Sequence, residues 1–180
     1  MLTSINPIIN QTTQFMRKLF ILMIALFLVA GATWAQTVTI GTGTSTQRYP
    51  LGAYFGYERS ASIYTAAEIG QAGVISKLAW YATIARSTSI PLKIYLKETS
   101  ASTFTAGTWA SMISDATLVW DATNTSITAS AWNEFTLTTS FSYSGVNNLV
   151  VMVESNFGGT GSGTSSGTGV RYSSATTQHQ

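Results

Sequence analysis

Ile90-Pro91-Leu92-Lys93-Ile94-Tyr95-Leu96-Lys97 alternates apolar and polar residues without a break. Ile90, Leu92, Ile94 and Leu96 point one way; Pro91, Lys93, Tyr95 and Lys97 point the other. That is the period of a strand with one face on a core and one in water. Pro91 has no N–H to give a ladder, so it belongs at the beginning of that strand or on an edge. Residues 74–83 read similarly. Ser76, Leu78, Trp80 and Ala82 share a face opposite Ile75, Lys77, Ala79 and Tyr81, and Lys77 marks the second face as the wet one. Residues 149–154 alternate Leu149, Val151 and Val153 against Val150, Met152 and Glu154. So little contrast between faces predicts a central strand covered on both sides.

Working outward, shorter strands are expected at residues 37–40, 51–55, 62–64, 117–121, 133–138 and 170–173. Turn signals separate them: Gly41-Thr42-Gly43, residues 70–73, 87–89 and 121–124, and Ser144-Gly145 with Asn147-Asn148. Residues 65–69 and 108–113 each allow one helical turn. Ser and Thr make up 45 of the 145 residues from Gln36 onward, and strong helix formers are scarce there. Many short strands with regular turns indicate an all-β fold, an antiparallel β-sandwich. Residues 158–169, rich in Gly and Ser, read as a surface loop. They lack the Lys and the following helix that a phosphate cradle needs.

Residues 16–35 have the three parts of a cleaved signal peptide: Arg17-Lys18, an apolar run from Leu19, and small residues ending at Ala35. The run from Leu19 to Ala32 is shorter than the roughly 20 residues that span a bilayer, so no stable membrane span is expected after cleavage. Translation starting at Met16 would make residues 1–15 an upstream extension. Residues 36–180 then form a single secreted domain. Only 9% of the chain is charged, and the formal charge of +2 belongs to Arg17 and Lys18, because the seven bases and seven acids that follow cancel. The alkaline pI is therefore no nucleic-acid footprint. With no Cys, disulfides, zinc thiolates and thiol nucleophiles are excluded.

Catalytic groups are sparse. The one histidine, His179, is penultimate, where no element can hold it against a nucleophile. No catalytic residue, metal ligand or cofactor is assigned. Glu154 is the best single acid for a carboxylate-based glycoside hydrolase, although an acid at a strand end is ordinarily a solvated rim residue. Asp115 and Asp121 flank Leu118-Val119-Trp120 and could join carbonyls in a structural calcium site, but without a dense Asp/Asn/Gly loop turn capping explains them better. Asn124-Thr125-Ser126 is a glycosylation sequon. Trp80, Trp120 and Phe135 share runs with aliphatic residues and belong to the core. Tyr57, Tyr81 and Tyr95 lie beside charged or polar residues, and are expected to form a ligand-binding surface of rings with polar tips.

The chain also carries an ordered series of motifs: Gln36-Thr-Val-Thr-Ile-Gly-Thr-Gly-Thr44, Tyr64-Thr-Ala-Ala-Glu-Ile-Gly70, Gly73-Val-Ile-Ser-Lys-Leu-Ala79, Leu92-Lys-Ile-Tyr-Leu-Lys97, Trp132-Asn-Glu-Phe-Thr-Leu137 and Phe141-Ser-Tyr-Ser-Gly-Val-Asn-Asn-Leu-Val-Val-Met-Val153. This series resembles the N-terminal β-rich domain of large surface proteins that Bacteroidetes-type bacteria export by the type IX secretion route. The resemblance implies a jelly-roll-like sandwich, a secreted or outer-cell-surface location, and further domains in the same protein. It implies no catalytic residue. Relatives would be expected to add a final strand after 170–173, so the chain reads as a fragment or a shortened paralogue with an unpaired sheet edge. The expected function is non-catalytic adhesion or carbohydrate binding to a polysaccharide or a host or matrix surface. A structural spacer is the alternative, and the hydrolase comes last.

Overall fold

The computed structural model describes residues 13–21, 36–161 and 169–173. The chain divides into two compact units, Met1–Val38 and Thr39–Gln180. In the first unit, residues 13–21 are helical and exposed. Among the described residues no helix is long and apolar enough to cross a membrane. Most of the expected signal (residues 22–35, with its cleavage point), the centre of the Gly/Ser-rich loop (162–168) and His179 lie outside the described residues.

The second unit is an all-β sandwich. Its strands are β1 (Ser45–Gln47), β2 (Tyr57–Tyr64), β3 (Gly73–Ala82), β4 (Ile90–Thr99), β5 (Thr117–Asn124), β6 (Ala131–Tyr143), β7 (Asn148–Asn156) and β8 (Val170–Tyr172). They form two four-stranded antiparallel sheets, ordered β1-β8-β3-β6 and β2-β7-β4-β5. The first strand pairs with the eighth, the second with the seventh, the third with the sixth and the fourth with the fifth. This nesting is a long hairpin rolled up on itself, the jelly roll.

Strand β4 does what its alternation predicts. Ile90, Leu92, Ile94 and Leu96 are fully buried, and Pro91 sits at the second position of the strand. Strand β7 is central in its sheet, and Leu149 through Val153 are all buried. Its Leu149, Val151 and Val153 join β4 and Phe135 in the core between the sheets, while Val150 and Met152 belong to a second cluster on the outer face. That second cluster is roofed by α2 (Trp109–Ile113), together with Phe104 from the segment that precedes it. Helix α1 (Ala66–Ile69) is the other expected turn. Thr65 and Glu68 close a capping box at its start, and Gly70 in the left-handed region ends it.

Five local expectations are corrected. Residues 37–40 are not a strand: the amides of Thr42 and Gly43 donate to Ser173 Oγ, and the ladder begins only at Ser45. Residues 51–55 are irregular, because the Phe55 amide bonds Glu58 Oε1 in place of a strand partner, although Leu51 and Ala53 are buried. Residues 121–124 continue β5 opposite Ile90 to Lys93 and make no turn there. In β3 the faces switch: Ile75 opposes Phe141 and Lys77 opposes Thr136, so one residue of β3 faces four of β6. Ile75 thereby packs on the core beside Leu78 and Trp80. Finally, β8 has no missing neighbour, since β1 pairs with it on one side and β3 on the other.

Candidate functional site

Antiparallel register lines up residues across a sheet. In the first sheet Thr46 pairs with Arg171, and Tyr81 pairs with Trp132. Because Ala82 pairs with Val170, Tyr81 and Arg171 face one another. The outer face therefore carries one row, Thr46–Arg171–Tyr81–Trp132, running across all four strands for about 14 Å at the usual strand spacing. The Arg171 guanidinium lies 4.1 Å from the centre of the Tyr81 ring. Trp132 meets the same ring edge-on at 5.7 Å and keeps 54% of its surface in water.

Next to this row stand Ala79 and Glu134, then Lys77 and Thr136. Lys77 Nζ and Glu134 Oε2 are 2.9 Å apart and both exposed, so the charges beside the rings are balanced. Ala79 and Thr136 are short, which leaves the Trp132 ring standing above a low surface. A half-exposed indole on a sheet is a flat apolar plate, and the adjoining guanidinium and carboxylate supply donors and acceptors at its rim.

The three tyrosines do not come together. Tyr81 belongs to this row, whereas Tyr57 and Tyr95 lie on the outer face of the other sheet. Tyr57 is well exposed at the start of β2, opposite Asn156. Tyr95 is half-buried, with its ring edge-on to Trp109 at 6.4 Å. Desolvation by the α2 roof raises its phenol above the ordinary value, with Glu154 adding to the shift. Tyr95 is therefore packing for that roof.

Glu154 is similarly engaged. Its Oε2 accepts from Trp109 Nε1 at 2.8 Å, and its Oε1 pairs with Arg59 at 3.2 Å. Arg59 in turn lies over the Trp109 ring at 5.5 Å. Across the sheet the register continues Arg59–Glu154–Lys93–Asp121, an alternating row of charge with Lys93 and Asp121 3.7 Å apart. A basic side chain thus stands between the two acids of that row. Asp115 pairs with Lys97 at 2.8 Å, which holds its carboxyl below the usual range. The strand from Thr117 to Asp121 alone spans about 13 Å, so Asp115 and Asp121 do not meet around one ion. Asn124 accepts from the buried Arg86, which also reaches the Thr88 carbonyl.

Trp132 and Arg171 are the residues that sequence reasoning missed. Phe135 and Leu137 are both core residues, so parity alone sets Trp132 on the outer face with Glu134 and Thr136. No comparable signal exists for Arg171, whose place beside Tyr81 depends on the pairing of the eighth strand with the third. No protein-family model, curated protein or solved structure matches this chain.

Proposed function

We propose that this chain is a secreted or cell-surface, non-catalytic jelly-roll module that binds carbohydrate in adhesion. The observation that carries the reading is the Trp132–Tyr81–Arg171 row on the outer face of the first sheet. A sugar ring presents apolar C–H groups on one face and hydroxyls around its edge. The indole would take the first, and Arg171, Thr46 and the Lys77–Glu134 pair the second. A 14 Å row suits a short run of sugar units lying across the strands. The leader-like residues 16–35 support export, and the ordered motif series supports a place within a larger protein exported by the type IX route.

The test is retention on insoluble polysaccharides, a glycan array and matrix proteins, repeated with Trp132→Ala. The indole is half exposed, so its removal leaves the core intact. Affinity should drop about tenfold, equivalent to about 1.4 kcal/mol. Failure of the parent chain to bind any of these surfaces would overturn the reading and leave the spacer.

A further inference from the structure

Just past the end of β1, two residues beyond Thr46, the segment between β1 and β2 gathers a second set of groups. The Arg48 guanidinium lies 4.4 Å from the centre of the Tyr49 ring, 5.4 Å from Phe55 and 5.9 Å from Tyr54. Its Nε donates to Glu58 Oε1 at 3.0 Å and its Nη2 to the Tyr49 hydroxyl at 2.5 Å. Among the described residues Nη1 has no hydrogen-bond acceptor, and about a third of the side chain is exposed. Glu58 is buried behind it, and its Oε2 has no hydrogen-bond partner among the described residues. Tyr54 and Phe55 meet edge-on at 4.8 Å and remain 38% and 53% exposed.

Two exposed rings on a wandering loop would signify little. These rings are held. The Phe55 amide donates to Glu58 Oε1, and the Gly158 amide donates to the Gly56 carbonyl at 2.8 Å. The backbones of the two segments touch closely enough that a Cβ on Gly56 would fall 2.2 Å from the Gly159 carbonyl oxygen, and one on Gly161 2.3 Å from that of Tyr54. A Cβ on Gly52 would fall 2.6 Å from Glu58 Oε2, so glycine there is what admits the buried carboxylate. Rigid apolar rings in water, beside a donor edge that has no acceptor among the described residues, are prepared for a ligand before it arrives.

We propose that this segment is a second saccharide site, selective for neutral sugars. It extends the carbohydrate-binding reading but uses none of the residues of the sheet face. The sugar ring stacks on Phe55 and Tyr54, and neighbouring hydroxyls accept from the free edge of Arg48. Selectivity follows from Glu58, which already neutralises Arg48 from behind. A carboxylate on the ligand would meet no net positive charge and would stand near a buried negative one.

The experiment is calorimetric titration of the full chain and its Trp132→Ala variant with cellohexaose, mannohexaose and hexagalacturonate. Trp132→Ala should retain binding to at least one neutral hexasaccharide, changing less than twofold between low and high salt. Hexagalacturonate should bind at least tenfold more weakly. Adding Phe55→Ala, which removes an exposed ring and leaves the core alone, should lower the residual affinity at least tenfold. Adding Arg48→Lys, which keeps the charge beside Glu58, should lower it at least fivefold. Loss of all binding in Trp132→Ala would overturn the second site and leave the sheet face standing. Residual binding indifferent to Phe55→Ala, or equal affinity for the acidic oligomer, would overturn it too. If Trp132→Ala binds as well as the parent while Phe55→Ala does not, the second site stands and the sheet-face reading falls.

Discussion

Phe135 joins the two sheets through its ring. Trp80 of the same sheet meets it edge-on at 5.4 Å, and Trp120 of the opposite sheet does so at 5.2 Å. Phe135→Ala would remove both contacts and open a cavity that neither indole can fill without leaving its own strand's alternation. The expected loss is about 3–5 kcal/mol, read as a lower urea midpoint; a change under about 1 kcal/mol would show that the sheets close without it. All three aromatics were legible as core from their aliphatic neighbours. The tyrosines were only half legible, and the reason is physical. Alternation tells which way a side chain points from its own strand, but not what another part of the chain lays over it. Tyr95 points outward as expected, yet Trp109 covers it from a helix that no periodicity ties to β4. Tyr81 points outward too, into a row whose other members come from strands far along the chain.

At the scale of the element, parity is a local rule and bulges reset it. In β5, Ile94 opposes Trp120 and Tyr95 opposes Leu118, so Val119 is the extra residue. Both Val119 and Trp120 can then face the core, and Val119 is fully buried. Deleting Val119 would bring Leu118 and Trp120 next to each other in regular register with β4. The deletion should therefore fold, keep its ladder and lose the burial of one valine, about 1.5–3 kcal/mol. Hydrogen exchange of the β4 and β5 amides together with urea unfolding would check this; a chain that fails to fold would show that the bulge sets the register. The strands that carry no extra residue themselves were readable, β4 and β7 above all. The segments at 37–40 and 51–55 misled because amides beside or within them, those of Thr42, Gly43 and Phe55, find side-chain acceptors on Ser173 and Glu58, which strand propensity does not foresee.

On the scale of the whole molecule, the nested pairing closes each sheet with chain segments distant in sequence, and ionisable groups sit at several of these closures. Glu98, at the end of β4, accepts from the Ser144 hydroxyl and from its amide at 2.6 Å, which holds its carboxyl below the ordinary value. Asp115 is held low in the same sense by Lys97. Both contributions are complete above the unfolded values of 4.5 and 3.8 and disappear as the pH falls through the lower folded ones. At the alkaline end, burial raises the phenols of Tyr64, Tyr95 and Tyr143 above 10.0. The unfolded chain then releases those protons first, so stability is full below pH 10 and falls as the pH climbs through the raised values. Arg86 opposes this. Burial lowers its guanidinium to about 10, well below the ordinary arginine value, so the folded chain sheds that proton earlier and gains with rising pH. Tyr64→Phe removes one of the three phenols while keeping its ring in the core, and should raise the melting temperature relative to the parent as the pH climbs past 10, without altering the acid limb. A Tyr64→Phe curve that superimposes on the parent's above pH 10 would show that this buried phenol does not govern the alkaline limit.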